Sequence, residues 1–153
     1  MNERFRRVVE ALQPKLDELL RMEPIRPDPL PADVPLCGVY LLSEGDRHLY
    51  IGRTDAMPTR LRNHCSGSHR QAAFAFKLAR EATGFTRPTY QRRGSRDELM
   101  TKVEFEAAFR EAQARIRNMD LRFVWEDDPL RQCLLEVYVS VALDTPYNRW
   151  NTT

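Results

Sequence analysis

The sequence predicts a small α/β protein of the α+β type: a three-stranded, mainly antiparallel sheet flanked by helices, with an N-terminal helical extension. Three observations carry that expectation. Residues 38–42 and 48–54 are short runs rich in β-branched and aromatic residues, parted by the polar break Ser43-Glu44-Gly45-Asp46-Arg47, and read as a β-hairpin. Residues 121–125 alternate as a third strand. Around these lie long segments with apolar residues at helical spacing, the pattern of helices that cover a sheet.

The elements follow in order. Phe5, Val8, Val9, Leu12, Leu16, Leu19 and Leu20 form an apolar stripe that Pro14 interrupts. A kink, or two short helices with Pro14 opening the second, accounts for it. Its role is to cover the sheet or to form a partner surface. Pro24, Pro27, Pro29, Pro31 and Pro35 then exclude helix and central strand and leave an extended connector. Residues 1–35 are therefore read as an extension with its connector, and residues 36–153 as the domain. In the hairpin, a period of two places Tyr40 and Leu42 on one face and Val39 and Leu41 on the other. Tyr50 approaches Tyr40 across the ladder. Pro58 and Thr59 start a helix carrying Arg60, Arg62 and His64.

Residues 65–68 read as a loop that caps a helix over 71–83, with Gly84 as its stop. The stretch 87–94 is a cationic loop with one aromatic, Tyr90. Ser95 and Glu98 form a capping box that opens one helix to about residue 118. Leu99, Val103, Phe105, Phe109, Ala112 and Ile116 are its candidate core. Asp127 or Asp128 caps the last helix, with Pro129 near its first position and its end near residue 143.

At 153 residues the chain suits one domain with a real core and no need of disulfides. Its 42% hydrophobic and 30% charged residues are ordinary for a soluble globular protein. No apolar run nears the ~20 residues of a membrane span, so no membrane partner is expected. The first residues carry charge without an apolar stretch of signal-peptide type. Cys37, Cys65 and Cys133 are widely spaced and read as reduced thiols of a cytoplasmic protein. Residues 47–96 hold eleven Lys and Arg against two acids, a local net of +9, between flanks of −3 and −4. A basic middle between acidic ends suits a phosphate-binding face. A solvated basic loop and helix explains the same charge.

Several ordered features carry a resemblance. They are Gly38-Val39-Tyr40, then Tyr50-Ile51-Gly52 with the two tyrosines ten residues apart, then Arg60 and His64 four residues on. Further along come Glu136 within Leu134-Leu135-Glu136-Val137-Tyr138 and Asn148 within Thr145-Pro146-Tyr147-Asn148. Over residues 37–148 the chain resembles the GIY-YIG nuclease family. The resemblance implies a metal-dependent endonuclease that hydrolyses DNA phosphodiester bonds, with Tyr40, Tyr50, Arg60, His64, Glu136 and Asn148 in the catalytic set. The chain's ending, from Asn148 to Thr153, departs from a pattern that often has a histidine there.

The chemistry follows from the residue types. Tyr40 is the candidate general base. An unperturbed phenol titrates near ~10, so that role needs cations nearby, from Arg60, the metal or His64. His64 is also a candidate proton relay. Arg60 matches phosphate oxygens bidentately and suits a phosphorane stabiliser, while Arg62 faces elsewhere on the helix. Tyr50 is a hydrogen-bond donor to phosphate or nucleophile, or a packing residue of the sheet. The resemblance implies that Asn148 orients a site group; a turn-forming role is the other reading.

Glu136 is the candidate ligand for Mg²⁺, or another divalent cation such as Mn²⁺, as a hard oxygen donor beside substrate phosphate. It sits in a stripe with Asp128, Gln132, Ser140 and Asp144 that could equally face water. Arg53, Arg62, Arg87, Tyr90, Arg92 and Arg93 are the candidate nucleic-acid contacts, with double-stranded DNA as the expected partner. His64, Cys65 and His69 lack the spacing and the fourth ligand of a zinc site. A non-catalytic nucleic-acid-binding or interaction module on the same fold is the alternative.

Overall fold

A hairpin reversed at Gly45 and Asp46 supplies two of the three strands. β1 (Gly38–Glu44) pairs antiparallel with β2 (Arg47–Thr54) on one side and with β3 (Asp120–Trp125) on the other, in the order β2-β1-β3. The computed structural model describes residues 1–85 and 96–148. Around the sheet strands in sequence lie α1 (Glu3–Glu10), α2 (Leu12–Arg21), α3 (Met57–Ser66), α4 (Ala73–Thr83), α5 (Arg96–Met100), α6 (Val103–Arg117) and α7 (Pro129–Leu143). The fold is thus α+β, as the sequence predicts. No helix among the described residues is long and apolar enough to cross a membrane.

The chain divides into two compact units. One, the sheet unit, comprises residues 1–58 and 119–153; the other, the helical unit, comprises residues 59–118. In the sheet unit β1 is the central strand, and its first six residues are buried, as a strand covered on both faces requires. Val39, Leu41, Ile51 and Val124 join Leu12, Leu16 and Leu19 of α2 and Leu135 and Val139 of α7 in one core. Burial of each such side chain stabilises the fold by roughly 1.5–3 kcal/mol. The units therefore do not follow the expected boundary near residue 35, because α2 is built into the core of the sheet.

The N-terminal stripe forms two helices that part at Ala11, and α1 buries no residue. Pro14 lies in the first turn of α2, where its missing N–H has no intrahelical acceptor to lose. The connector contains no helix but bends at residues 27–29 and turns at 32–33 rather than running extended throughout, and it meets the outer edge of β3 at an isolated bridge. Ile25 N–H donates to Leu121 C=O (2.9 Å), and Leu121 N–H donates to Ile25 C=O (2.7 Å). At the start of α7 the Asp128 carboxylate accepts from Arg131 N–H at 2.8 Å, and Pro129 occupies the first position.

In the helical unit α4 and α6 bury their aromatic faces. Phe76 packs 5.0 Å from Phe105 and 6.5 Å from Phe109, centroid to centroid. Gly84 ends α4 in the left-handed conformation, with φ 81°. Two expectations are corrected. Cys65 and Ser66 are helical, because α3 runs on to Ser66 before the loop begins. The helix expected from residue 95 to 118 is two: the chain breaks at Thr101 and Lys102, where the Thr101 hydroxyl donates to Glu98 C=O at 2.6 Å. That break leaves Val103, an expected core residue, 85% exposed at the start of α6. Ser95, the expected cap, lies outside the described residues. The charge segregation follows the two units, with a net of +7 on residues 59–118 and −5 on the rest.

Candidate active site

The register explains both glycines of the paired tripeptides. Gly52 stands opposite Tyr40, and a Cβ on Gly52 would lie inside the Tyr40 ring and hydroxyl. A Cβ on Gly38 would collide with the Val124 carbonyl of β3. Each glycine is there because another group approaches its backbone closely. The Tyr40 ring therefore lies flat across β2 and comes beside Tyr50, with centroids 6.3 Å apart and planes tilted by 45°. The expected approach of the two phenols is present. Tyr40 is fully buried and Tyr50 is 8% exposed, so Tyr50 is the phenol nearer to solvent.

Asn148 acts on the same strand. Its Oδ1 accepts from Ile51 N–H and its Nδ2 donates to Ile51 C=O, both at 2.8 Å, as a neighbouring strand would. Thr145 Oγ1 donates to the same Oδ1 at 2.9 Å, and Tyr147 N–H donates to Leu49 C=O at 3.2 Å. The segment after α7 thus closes the open edge of β2 at the residue between Tyr50 and Gly52. Asn148 orients the tyrosine-bearing backbone rather than simply making a turn.

The middle of the polar stripe of α7, from Gln132 to Ser140, faces the protein, while Asp144 at its end is exposed. Gln132 and Ser140 are buried, and the Glu136 side chain is 19% exposed. Gln132 Nε2 donates to Asp55 Oδ1 (2.9 Å) and to Glu126 C=O (2.6 Å). Buried Glu126 accepts from Arg131 Nε at 3.0 Å and from Asp128 N–H at 3.1 Å. Asp55, Glu126 and Gln132 are residues the sequence reading did not select. Gln132 carried a signal, its place one turn before Glu136, whereas Asp55 and Glu126 carried none.

Glu136 Oε2 accepts from Arg53 Nε at 3.1 Å. Arg53, expected at nucleic acid, thus holds the expected metal ligand. By strand alternation Arg53 leaves β2 on the face of Ile51, and the phenols leave the hairpin on the other. No group of three or more His, Cys, Asp and Glu side chains able to hold a metal ion is found among the described residues. Glu136 offers one carboxylate, a hard oxygen donor of the kind such a cation takes, and in this structure Arg53 holds it.

The helical unit holds the other candidates. Arg60 is half-buried, with Nη1 donating to Gln71 C=O at 3.4 Å, and Arg62, half a turn away, is exposed. His64 is fully buried, edge-on to Phe74 at 6.4 Å between centroids. Burial, and then the Arg60 cation, push its pKa down to about 3. The imidazole is neutral at physiological pH. This corrects the expectation that His64 supplies positive charge or readily takes a proton in relay; a neutral donor–acceptor role is what remains to it. His69 pairs instead with Asp97 (2.6 Å), whose carboxyl Arg70 and His69 hold below its ordinary range.

Arg80 and Arg96 both stack on Phe76, at 5.0 and 5.1 Å from its centroid. Desolvation and the Arg96 charge lower the pKa of both Lys77 and Arg80. Arg87, Tyr90, Arg92 and Arg93, expected at nucleic acid, lie outside the described residues. The chain matches no family model, no curated protein and no solved structure.

Proposed function

We propose that the protein is a metal-dependent phosphodiesterase of the GIY-YIG type that cleaves DNA. The observation that carries this reading is the hairpin register. It sets the Tyr40 ring over Gly52 and beside Tyr50, while Asn148 clips the intervening Ile51. A sheet needs only packing from two tyrosines; it does not need an asparagine bonded to the strand between them. The net charge of +7 on residues 59–118 supports a polyanionic substrate.

In this reading Glu136, beside Arg53 on the sheet face opposite the phenols, would hold a divalent cation, and the cation would supply Lewis-acid stabilisation of phosphate oxygens. Tyr50, the less buried phenol, donates to the phosphate or the nucleophile. Tyr40, the base the resemblance implies, would take the proton of the attacking water only as the phenolate, becoming the neutral phenol. For Arg60 the resemblance implies stabilisation of the phosphorane. Asn148 holds the strand that carries Tyr50.

Three observations favour the alternative of a non-catalytic nucleic-acid-binding module. Tyr40 is fully buried, His64 is neutral, and Glu136 is held by Arg53. Supercoiled plasmid incubated with the purified protein, with and without Mg²⁺, separates the two readings. Mg²⁺-dependent nicking that Glu136→Gln abolishes supports the nuclease. Retention of plasmid on the protein without nicking, in Mg²⁺ and in Mn²⁺, supports the binding module.

A further inference from the structure

We propose that the Arg53–Glu136 pair is an exchange latch: the guanidinium holds the carboxylate until a divalent cation replaces it, and the freed Arg53 then engages a substrate phosphate. The proposal rests on the phosphodiesterase reading and states how its metal site is loaded.

Three features of the pair support it. The contact, Nε to Oε2 at 3.1 Å, occupies an oxygen that a metal ligand would use. A guanidinium and a divalent cation cannot share that oxygen, because their like charges repel at such distances. The two partners also differ in mobility. Glu136 is 19% exposed on a helix anchored by buried Leu135 and Val139, and its neighbour one turn back, Gln132, is fixed to Asp55. Arg53 is 46% exposed near the end of β2, on a long side chain that can swing out. The carboxylate is the fixed half and the guanidinium the movable half.

Position supplies the third feature. Arg53 leaves β2 beside Glu136, on the face opposite the phenols, so a released guanidinium stays within one side-chain length of a cation at Glu136 and of the phosphate that cation takes. Its planar fork is suited to phosphate oxygens. The latch therefore links two binding events. A phosphate that draws Arg53 away raises the affinity of Glu136 for metal, and metal at Glu136 raises the affinity for phosphate by the same factor. Neither ligand alone assembles the loaded site.

The test is Mn²⁺ binding, read from the electron paramagnetic resonance signal of the free ion, with and without a short DNA duplex. Wild type, Arg53→Gln, Arg53→Lys and Glu136→Gln are compared. A nicked duplex keeps its backbone phosphates, so cleavage does not obscure the readout. Arg53→Gln is expected to bind Mn²⁺ about two- to fivefold tighter than wild type, the scale of a partly exposed ion pair. Arg53→Lys, which keeps the charge and loses the fork, should fall between them. The duplex should tighten Mn²⁺ binding in wild type and do so less in Arg53→Gln, where only the phosphate oxygens taken by the cation itself remain. Arg53→Gln binding no tighter than wild type overturns the latch. Tighter binding with an undiminished duplex effect also overturns it, since Arg53 would then be only a nearby charge. Equal Mn²⁺ binding by wild type and Glu136→Gln instead removes Glu136 as the metal ligand, the reading on which the latch stands.

Discussion

Acid should destabilise this protein through His64, in a direction the structure fixes. Burial and the Arg60 cation hold the imidazole pKa at about 3 in the folded state, against about 6.5 in the unfolded chain. The folded-state value is the lower one, so the unfolded chain takes up the proton first. Stability from this group is complete above pH 6.5 and is lost as the pH falls toward 3. Each pH unit in that window costs about 1.4 kcal/mol, so the loss is roughly 3 kcal/mol at pH 4.5 and roughly 4–5 kcal/mol near pH 3. Small domains are stable by only about 5–15 kcal/mol, so the larger figure could unfold the protein.

The measurement is urea denaturation of wild type and His64→Gln at pH 7, 6, 5 and 4.5. Carboxylates titrate in both proteins, so the difference between them isolates the imidazole. At pH 7 both side chains are neutral, and the offset there reports lost packing against Phe74. Below pH 6.5 the wild type should lose stability faster than the variant by about 1.4 kcal/mol per pH unit. Parallel pH dependences would show that the imidazole titrates normally and is not buried as described.

Two further substitutions probe the hairpin. Gly52→Ala puts a methyl group into the Tyr40 ring and should cost about 1–3 kcal/mol in urea denaturation, the range for overpacking. The same change in a Tyr40→Ala background should be nearly neutral, and an equal cost in both backgrounds would mean that Gly52 accommodates something else. Asn148→Ala removes both hydrogen bonds to Ile51 and should cost about 1–3 kcal/mol. Its direct signature is faster hydrogen exchange at the Ile51 amide; an unchanged rate would show that the edge of β2 is protected by other means.

Much of the fold was written locally. The alternation in residues 38–42 and 48–54 needs no partner to be recognised, because period two is a property of any strand with two different faces. The same holds for the Gly84 stop and for Asp128 with Pro129 at the start of α7, since caps satisfy backbone groups within a few residues of themselves. The break between α5 and α6 was not legible. The apolar spacing runs on through Val103, and the break is a turn in which Thr101 N–H and its hydroxyl both bond Glu98 C=O and Lys102 N–H bonds Leu99 C=O.

The candidate site divides the same way. Which residue types stand at which spacing is a property of the sequence: two tyrosines ten apart, an arginine, a late glutamate and a late asparagine. Their partners were decided by the tertiary structure. Arg53 meets Glu136 across 83 residues, and Asn148 pairs with Ile51 across 97. Periodicity cannot report contacts so distant along the chain, because it records only the face a residue takes. The neutrality of His64 is likewise absent from its neighbours in sequence. It comes from removing the ring from water beside the Arg60 cation, and burial is a property that only the folded chain has.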